Sequence, residues 1–207
     1  LDPTVINGGV INSLKNNAQL GKGEWAVIES DESDGSFLKL PITYSIVTNL
    51  DKEHLDFYGS FENLKKSFCA FIEKTPSFGK SLICIDNNNL KSLLSKCKTR
   101  NFLTYGFNKH SNYRITNVRK NRNFSIFDLR VTFASSRTKT INNIRNLSFM
   151  DFKNLIAYKL TLNAVVAVYM LSFIVSNPVK LHRITATIPF IRFENVITRI
   201  HCLGFTF

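Results

Sequence analysis

Four acids stand within six residues at Glu29, Asp31, Glu32 and Asp34, in the segment ESDESDGSF, and His54 lies in a second acid-rich segment, TNLDKEHLDFYG. The first follows the apolar run WAVI and the second follows YSIV. Carboxylate oxygens and an imidazole nitrogen are donor types that hold a divalent cation, and such a cation neutralises phosphate oxygens during phosphoryl transfer. Mg²⁺ prefers oxygen, so an imidazole donor argues equally for Mn²⁺ or Zn²⁺. Glu29 and His54 form the candidate pair, provided that the two runs are neighbouring strands with their carboxyl ends on one side. A solvated acidic loop is the competing reading, because one carboxylate and one imidazole make a sparse ligand set. Asp31, Glu32 and Asp34 are expected to solvate or shape the loop. No residue is assigned a catalytic role.

These residues need a frame that brings strand ends together. Thr4–Ile6 reads as a short strand ended by a turn at Asn7-Gly8-Gly9. Trp25–Glu29, Tyr44–Leu50, Ser81–Ile85 and Phe102–Tyr105 are continuous apolar runs without alternation, the texture of parallel strands covered on both faces. Ser60 is placed to cap a helix in which Phe61, Leu64, Phe68, Phe71 and Ile72 keep helical spacing, and a shorter helix is expected near Leu90–Lys96. Strands alternating with helices predict an α/β domain, whose ligands gather beyond the carboxyl ends of the strands. From Tyr113 to Leu147, short runs predict hairpin strands forming an antiparallel appendage. Leu160–Val175 is apolar but carries Thr161, Asn163 and Ser172, and is expected to be a buried helix rather than a membrane span.

Composition narrows the function classes. The chain has 207 residues, 44% hydrophobic and 20% charged, which is a globular rather than a disordered composition. It begins without Met and without a signal-peptide pattern. Cys69, Cys84, Cys97 and Cys202 form no CxxC pair and are expected to be reduced thiols in a cytoplasmic protein. Residues 1–60 hold four Lys/Arg and nine Asp/Glu, a net of -5; the remainder holds 27 - 4 = 23 basic and 15 - 9 = 6 acidic residues, a net of +17. The basic residues are scattered, so no nucleic-acid partner is expected, although RKNRNF (119–124) mixes cations with an aromatic as nucleic-acid surfaces do.

TVINGGVIN, the acidic loop, the block YSIVTNLDKEHLDFYGSFENLKKSF and the later TYGF, in fixed order, closely resemble the muramate–alanine ligases of the Mur ligase family. The resemblance runs nearly continuously from Leu1 to about Phe107. Ser30, Glu53 and Leu55 depart mildly from the family pattern. It implies a three-layer α/β central, ATP-binding domain over residues 1–200, with a mainly parallel sheet, and the start of a link to a further domain at 201–207. It also implies Glu29 and His54 as Mg²⁺ ligands, Asn7 and Gly8 as substrate-binding residues, and Asn163 and Arg199 as nucleotide-binding residues. The implied reaction uses ATP to convert the carboxylate of UDP-N-acetylmuramate into an acyl phosphate, which the amine of L-alanine attacks.

The chain departs from the family where nucleotide is held. No Gly-Lys-Thr phosphate loop occurs, and Gly79-Lys80-Ser81 does not substitute for it, since Lys74 stands where the first glycine belongs and a strand is expected to follow. In AYKLTLNA, Ala157, Lys159 and Leu160 replace the Gly, His and Asn of the adenine-holding motif. FENVITRI carries Asn195 where the family has Gly. The expectation is a piece of the ligase, inactive alone and needing the other ligase domains as partners. A decayed gene product is the alternative.

Overall fold

The computed structural model describes residues 2–11, 14–120, 125–132, 138–146 and 202–206. The elements, in chain order, are strands β1 (Thr4–Ile11), β2 (Asn16–Gln19), β3 (Ala26–Ser30) and β4 (Tyr44–Val47), then helices α1 (Leu55–Tyr58) and α2 (Phe61–Glu73). They continue with β5 (Lys80–Cys84), α3 (Asn88–Leu93), β6 (Phe102–Gly106), β7 (Tyr113–Lys120), β8 (Ser125–Thr132), β9 (Thr138–Asn146) and β10 (Cys202–Thr206). All ten strands join one sheet in the order β2-β1-β3-β10-β4-β5-β6-β7-β8-β9.

The α/β reading holds. The pairs β1–β3, β4–β5, β5–β6 and β6–β7 are parallel, and β7, β8 and β9 form the antiparallel appendage. Successive side chains on a strand face opposite ways. Leu82 and Ile83 on β5 are both fully buried, as are Ile46 and Val47 on β4, so the sheet is covered on both faces there. This is why these strands read as continuous apolar runs.

Helix α2 forms as its spacing predicts. The Ser60 hydroxyl accepts the Asn63 N–H at 3.2 Å, while Leu64, Phe68, Phe71 and Ile72 turn into the core. A buried hydroxyl cluster ties its end to the sheet: Ser45 Oγ donates to Ser81 Oγ at 2.9 Å, and Thr75 Oγ1 lies 2.8 Å from Ser81 Oγ. Lys80 and Ser81 lie in β5, so Gly79-Lys80-Ser81 leads into a strand and not into a helix. At the far end of β5, the Asp86 carboxylate accepts the N–H groups of Phe107 and Asn108 at 2.9 and 2.8 Å and so fixes the exit of β6.

Four expectations change. Asn7-Gly8-Gly9 does not turn the chain; β1 runs through it to Ile11, with a register irregularity against β2 absorbing the glycines. Strands β3 and β4 are not neighbours, because β10 lies between them and pairs antiparallel with both. Residues 202–206, read from the sequence as the start of a link, thus contribute a central strand. Finally, Cys69 and Cys97 are joined by a disulfide with Cα atoms 5.5 Å apart, because α2 and the turn after α3 pack side by side. Closing a loop of this length restricts the unfolded chain by about 3.5 kcal/mol on the chain-entropy account. The expected helix at 160–175, with Asn163, and the segment with Arg199 lie outside the described residues.

Cys84 does keep its thiol, buried on β5. Burial, reinforced by the negative charge of Asp86, pushes its pKa up to about 12. The nucleophile is the thiolate, so native Cys84 is expected to resist iodoacetamide at pH 8 and to react only after unfolding. Mass spectrometry of alkylated peptides checks this, and modification of Cys84 in the native protein would contradict it.

Candidate cation site

The carboxyl ends of β3 and β4 deliver the two acid-rich segments to the same end of the sheet, and β10 spaces them apart. With neighbouring strands about 4.8 Å apart, two sheet spacings put roughly 10 Å between β3 and β4. Glu29, the penultimate residue of β3, turns toward β1 on the side away from β4. Its carboxylate accepts the N–H of Gly8 at 2.8 Å. Partial burial raises the Glu29 pKa, against the lowering effect of that hydrogen bond, and nearby Asp31 raises it further. Asn7 stands beside this contact, its side-chain amide donating to the Gly9 carbonyl at 2.8 Å. Gly8 and Asn7 therefore adjoin Glu29 through β1.

His54 occupies a left-handed backbone conformation, φ 54° and ψ 32°, at the start of α1. For a residue with a side chain this costs on the order of 1 kcal/mol or more, and it must be held by its surroundings. Its carbonyl accepts the N–H groups of Phe57 and Tyr58, both at 3.1 Å. The acids that gather around His54 are Asp31 and Glu32. One ligand atom from each of the three residues lies within 4.8 Å of the others, and His54 Nε2 is 3.5 Å from Glu32 Oε1. Glu29 is not a member of this cluster.

The remaining acids divide by role. Asp31 accepts the Ser33 N–H at 2.8 Å and Asp34 accepts the Ser36 N–H at 2.9 Å, so both fold the loop through side-chain turns, as the sequence suggested. Hydrogen bonds from Ser36, side chain first, hold the exposed Asp34 carboxyl below the usual carboxylate range. Glu32 is different: it is only 3% exposed, so of the two roles expected for it, solvating or shaping the loop, the first is excluded. Acid-rich composition concealed it, since nothing in ESDESDGSF distinguishes the acid that turns inward.

Comparison with known proteins follows this geometry. A family model described as the Mur ligase middle domain matches residues 9–170. UDP-N-acetylmuramate–L-alanine ligase of Pelagibacter ubique is 53% identical over 145 residues, covering 70% of this chain and 31% of that protein. The ligase of the same description from Parvibaculum lavamentivorans is 51% identical over 132 residues, 64% of this chain and 27% of the relative. The chain thus spans about a third of the length of the curated relatives it matches. The crystal structure of the UDP-N-acetylmuramate–alanine ligase MurC from Thermotoga maritima superposes with a TM-score of 0.60 at 20% identity, over 83% of this chain and 35% of that one. MurF ligase from the same organism, solved in complex with ADP, superposes at 0.52 with 15% identity, over 86% and 40%.

Proposed function

The chain belongs to the Mur ligase middle-domain family, and from that premise we propose that it is the cation-holding part of a ligase that joins L-alanine to UDP-N-acetylmuramate with ATP. The observation that supports this most is the arrival of Glu29 and His54 at the same carboxyl end of one mainly parallel sheet, in a chain 53% identical to such a ligase. Ligands of α/β sheets bind at that end.

The residues present fit a divalent cation. Glu29 is a carboxylate whose charged form is disfavoured by burial, so a cation beside it relieves a cost already present. The imidazole of His54 and the carboxylate of Asp31 supply further nitrogen and oxygen donors, with Glu32 beside the ring. Mg²⁺ or Mn²⁺ suits such donors; His54 is the proposed ligand within the cluster, and Glu29, which lies outside it beside Gly8, is the proposed ligand from the β1 side. When bound, the ion would screen phosphate oxygens from an approaching substrate carboxylate. Gly8, through its N–H, orients the Glu29 carboxylate, and the left-handed backbone of His54 sets the direction of its ring. Asn7 and Gly8, on the strand that faces Glu29, are the proposed substrate contacts, and Asn163 and Arg199 the proposed nucleotide contacts.

A fit to ATP phosphates is not found in this sequence: Gly79-Lys80-Ser81 opens a strand, and no other segment offers a phosphate loop. Residues 1–207 alone are therefore expected to produce no substrate-dependent ADP, and to regain turnover only when the other ligase domains are supplied. The cation site is tested separately by Mn²⁺ binding, followed by electron paramagnetic resonance. Glu29→Gln and His54→Ala are each expected to weaken Mn²⁺ binding by roughly ten-fold or more. Wild-type affinity in both variants would refute the site, and ADP formation by the chain alone would refute its dependence on other domains.

A further inference from the structure

We propose that Glu32 is a positioning residue for His54: its carboxylate holds the Nε2–H side of the imidazole and leaves Nδ1 as the atom that meets a cation. This rests on the reading of His54 as a cation ligand and assigns a task to an acid that the ligand pair does not include. Three observations carry it. Glu32 is 3% exposed, and a carboxylate that deeply buried is retained where donors satisfy it. Its Oε1 lies 3.5 Å from His54 Nε2, which is the face of the ring the carboxylate engages. Its backbone is clamped to the element that carries His54, since the Tyr58 hydroxyl of α1 donates to the Glu32 carbonyl, which also accepts the Gly35 N–H at 3.2 Å.

The clamp matters because of what a cation asks of a histidine. One ring nitrogen must offer a lone pair, and the other must carry the proton. A carboxylate on the second nitrogen selects that tautomer and stops the ring from rotating away. The Phe57 ring packs over Gly35, where an added Cβ would come within 3.2 Å of it, a further contact between the acidic loop and α1. These contacts set Glu32 and His54 side by side even though the strands that precede them, β3 and β4, are separated by β10.

The test reads the ring directly. In metal-free protein at pH 8, ¹⁵N chemical shifts of the His54 ring should report a single Nε2–H tautomer. Glu32→Ala should give a mixture of the two tautomers and bind Mn²⁺ about 10- to 100-fold more weakly. Glu32→Gln, whose amide oxygen still accepts from Nε2–H, should restore both the tautomer and most of the affinity. Identical ring shifts in wild type and Glu32→Ala would overturn the proposal while leaving the cation reading intact. So would loss of Mn²⁺ binding without any tautomer change, which would make Glu32 a direct ligand. A tautomer change accompanied by Mn²⁺ binding that is indifferent to His54→Ala would sink the cation reading, and the positioning role with it.

Discussion

Gly79→Ala is expected to lower the midpoint of thermal unfolding by roughly 10 °C, corresponding to about 3 kcal/mol of overpacking in a chain of this size. Gly79 leads out of the turn after α2 into β5, with its N–H donated to the Pro76 carbonyl at 3.0 Å. A Cβ built there would stand 1.7 Å from the carbonyl oxygen of Thr43 and 2.8 Å from its carbon. Both are backbone atoms, and Thr43 leads directly into β4, so no side-chain rotation relieves the clash. One of the two strands has to move, yet they are registered as Tyr44 with Lys80 and Ser45 with Ser81, above the buried hydroxyl cluster. Gly59→Ala is the control. Its φ is +71°, but nothing lies within 4 Å of the added methyl group, so only backbone strain of about 1 kcal/mol is incurred. Circular dichroism melts of both variants decide the matter: equal shifts would mean that the contact with Thr43 is not what excludes a side chain at Gly79.

Deleting residues 202–207 is expected to separate the sheet into two bodies, with cleavage between residues 26 and 43 in limited proteolysis accelerated roughly ten-fold or more. The apolar cluster explains the asymmetry. Its buried members begin at Phe37 and run through β4, α2, β5, α3 and β6 to β8, whereas β3 adds only the partly buried Val27. Among the described residues, β10 is the strand that joins β1–β3 to the remainder, pairing from Ala26 to Ser30 on one side and from Tyr44 to Val47 on the other. Its loss bares two rows of backbone donors and acceptors in the middle of the sheet. Gly204→Pro, which removes an N–H between Ile28 and Ser45, should act in the same direction with a smaller effect. Unchanged proteolysis in both variants would show that β1–β3 is held by other means.

Local rules were readable and non-local ones were not. The Ser60 cap and the spacing of Leu64, Phe68, Phe71 and Ile72 specify α2 within one stretch of chain, and uninterrupted apolar runs identify β4 and β5 because both faces there are covered. Asn7-Gly8-Gly9 has turn composition, yet it lies inside β1, in the register irregularity between the pairs Ile6–Ala18 and Ile11–Asn16. CLGFT carries no signal strong enough to mark it as a central strand, and the sequence therefore left the adjacency of β3 and β4 as a condition, which the structure does not meet. The site inherits that difference. With β10 in between, Glu29 turns to Gly8 on β1, and the acid that reaches His54 is Glu32, held by Tyr58. Cys69 and Cys97 meet because α2 and the turn after α3 pack together, a contact that cysteine spacing alone does not encode.

The position of β10 also sets an order of events on the ribosome. Strands β1 to β9 emerge first, and until residues 202–206 are synthesised the inner edges of β3 and β4 have no strand to join them. The compact part from β4 to β8 can gather its core early, while the strand bearing Glu29 waits for the most distant pairing in the described chain. Such late, long-range closure is slow and leaves open edges that invite pairing with other nascent chains. Among the described strands, β3, which bears Glu29, is therefore joined to β4 only after β5 to β9 have emerged, and the facing edges of β3 and β4 stay open longest.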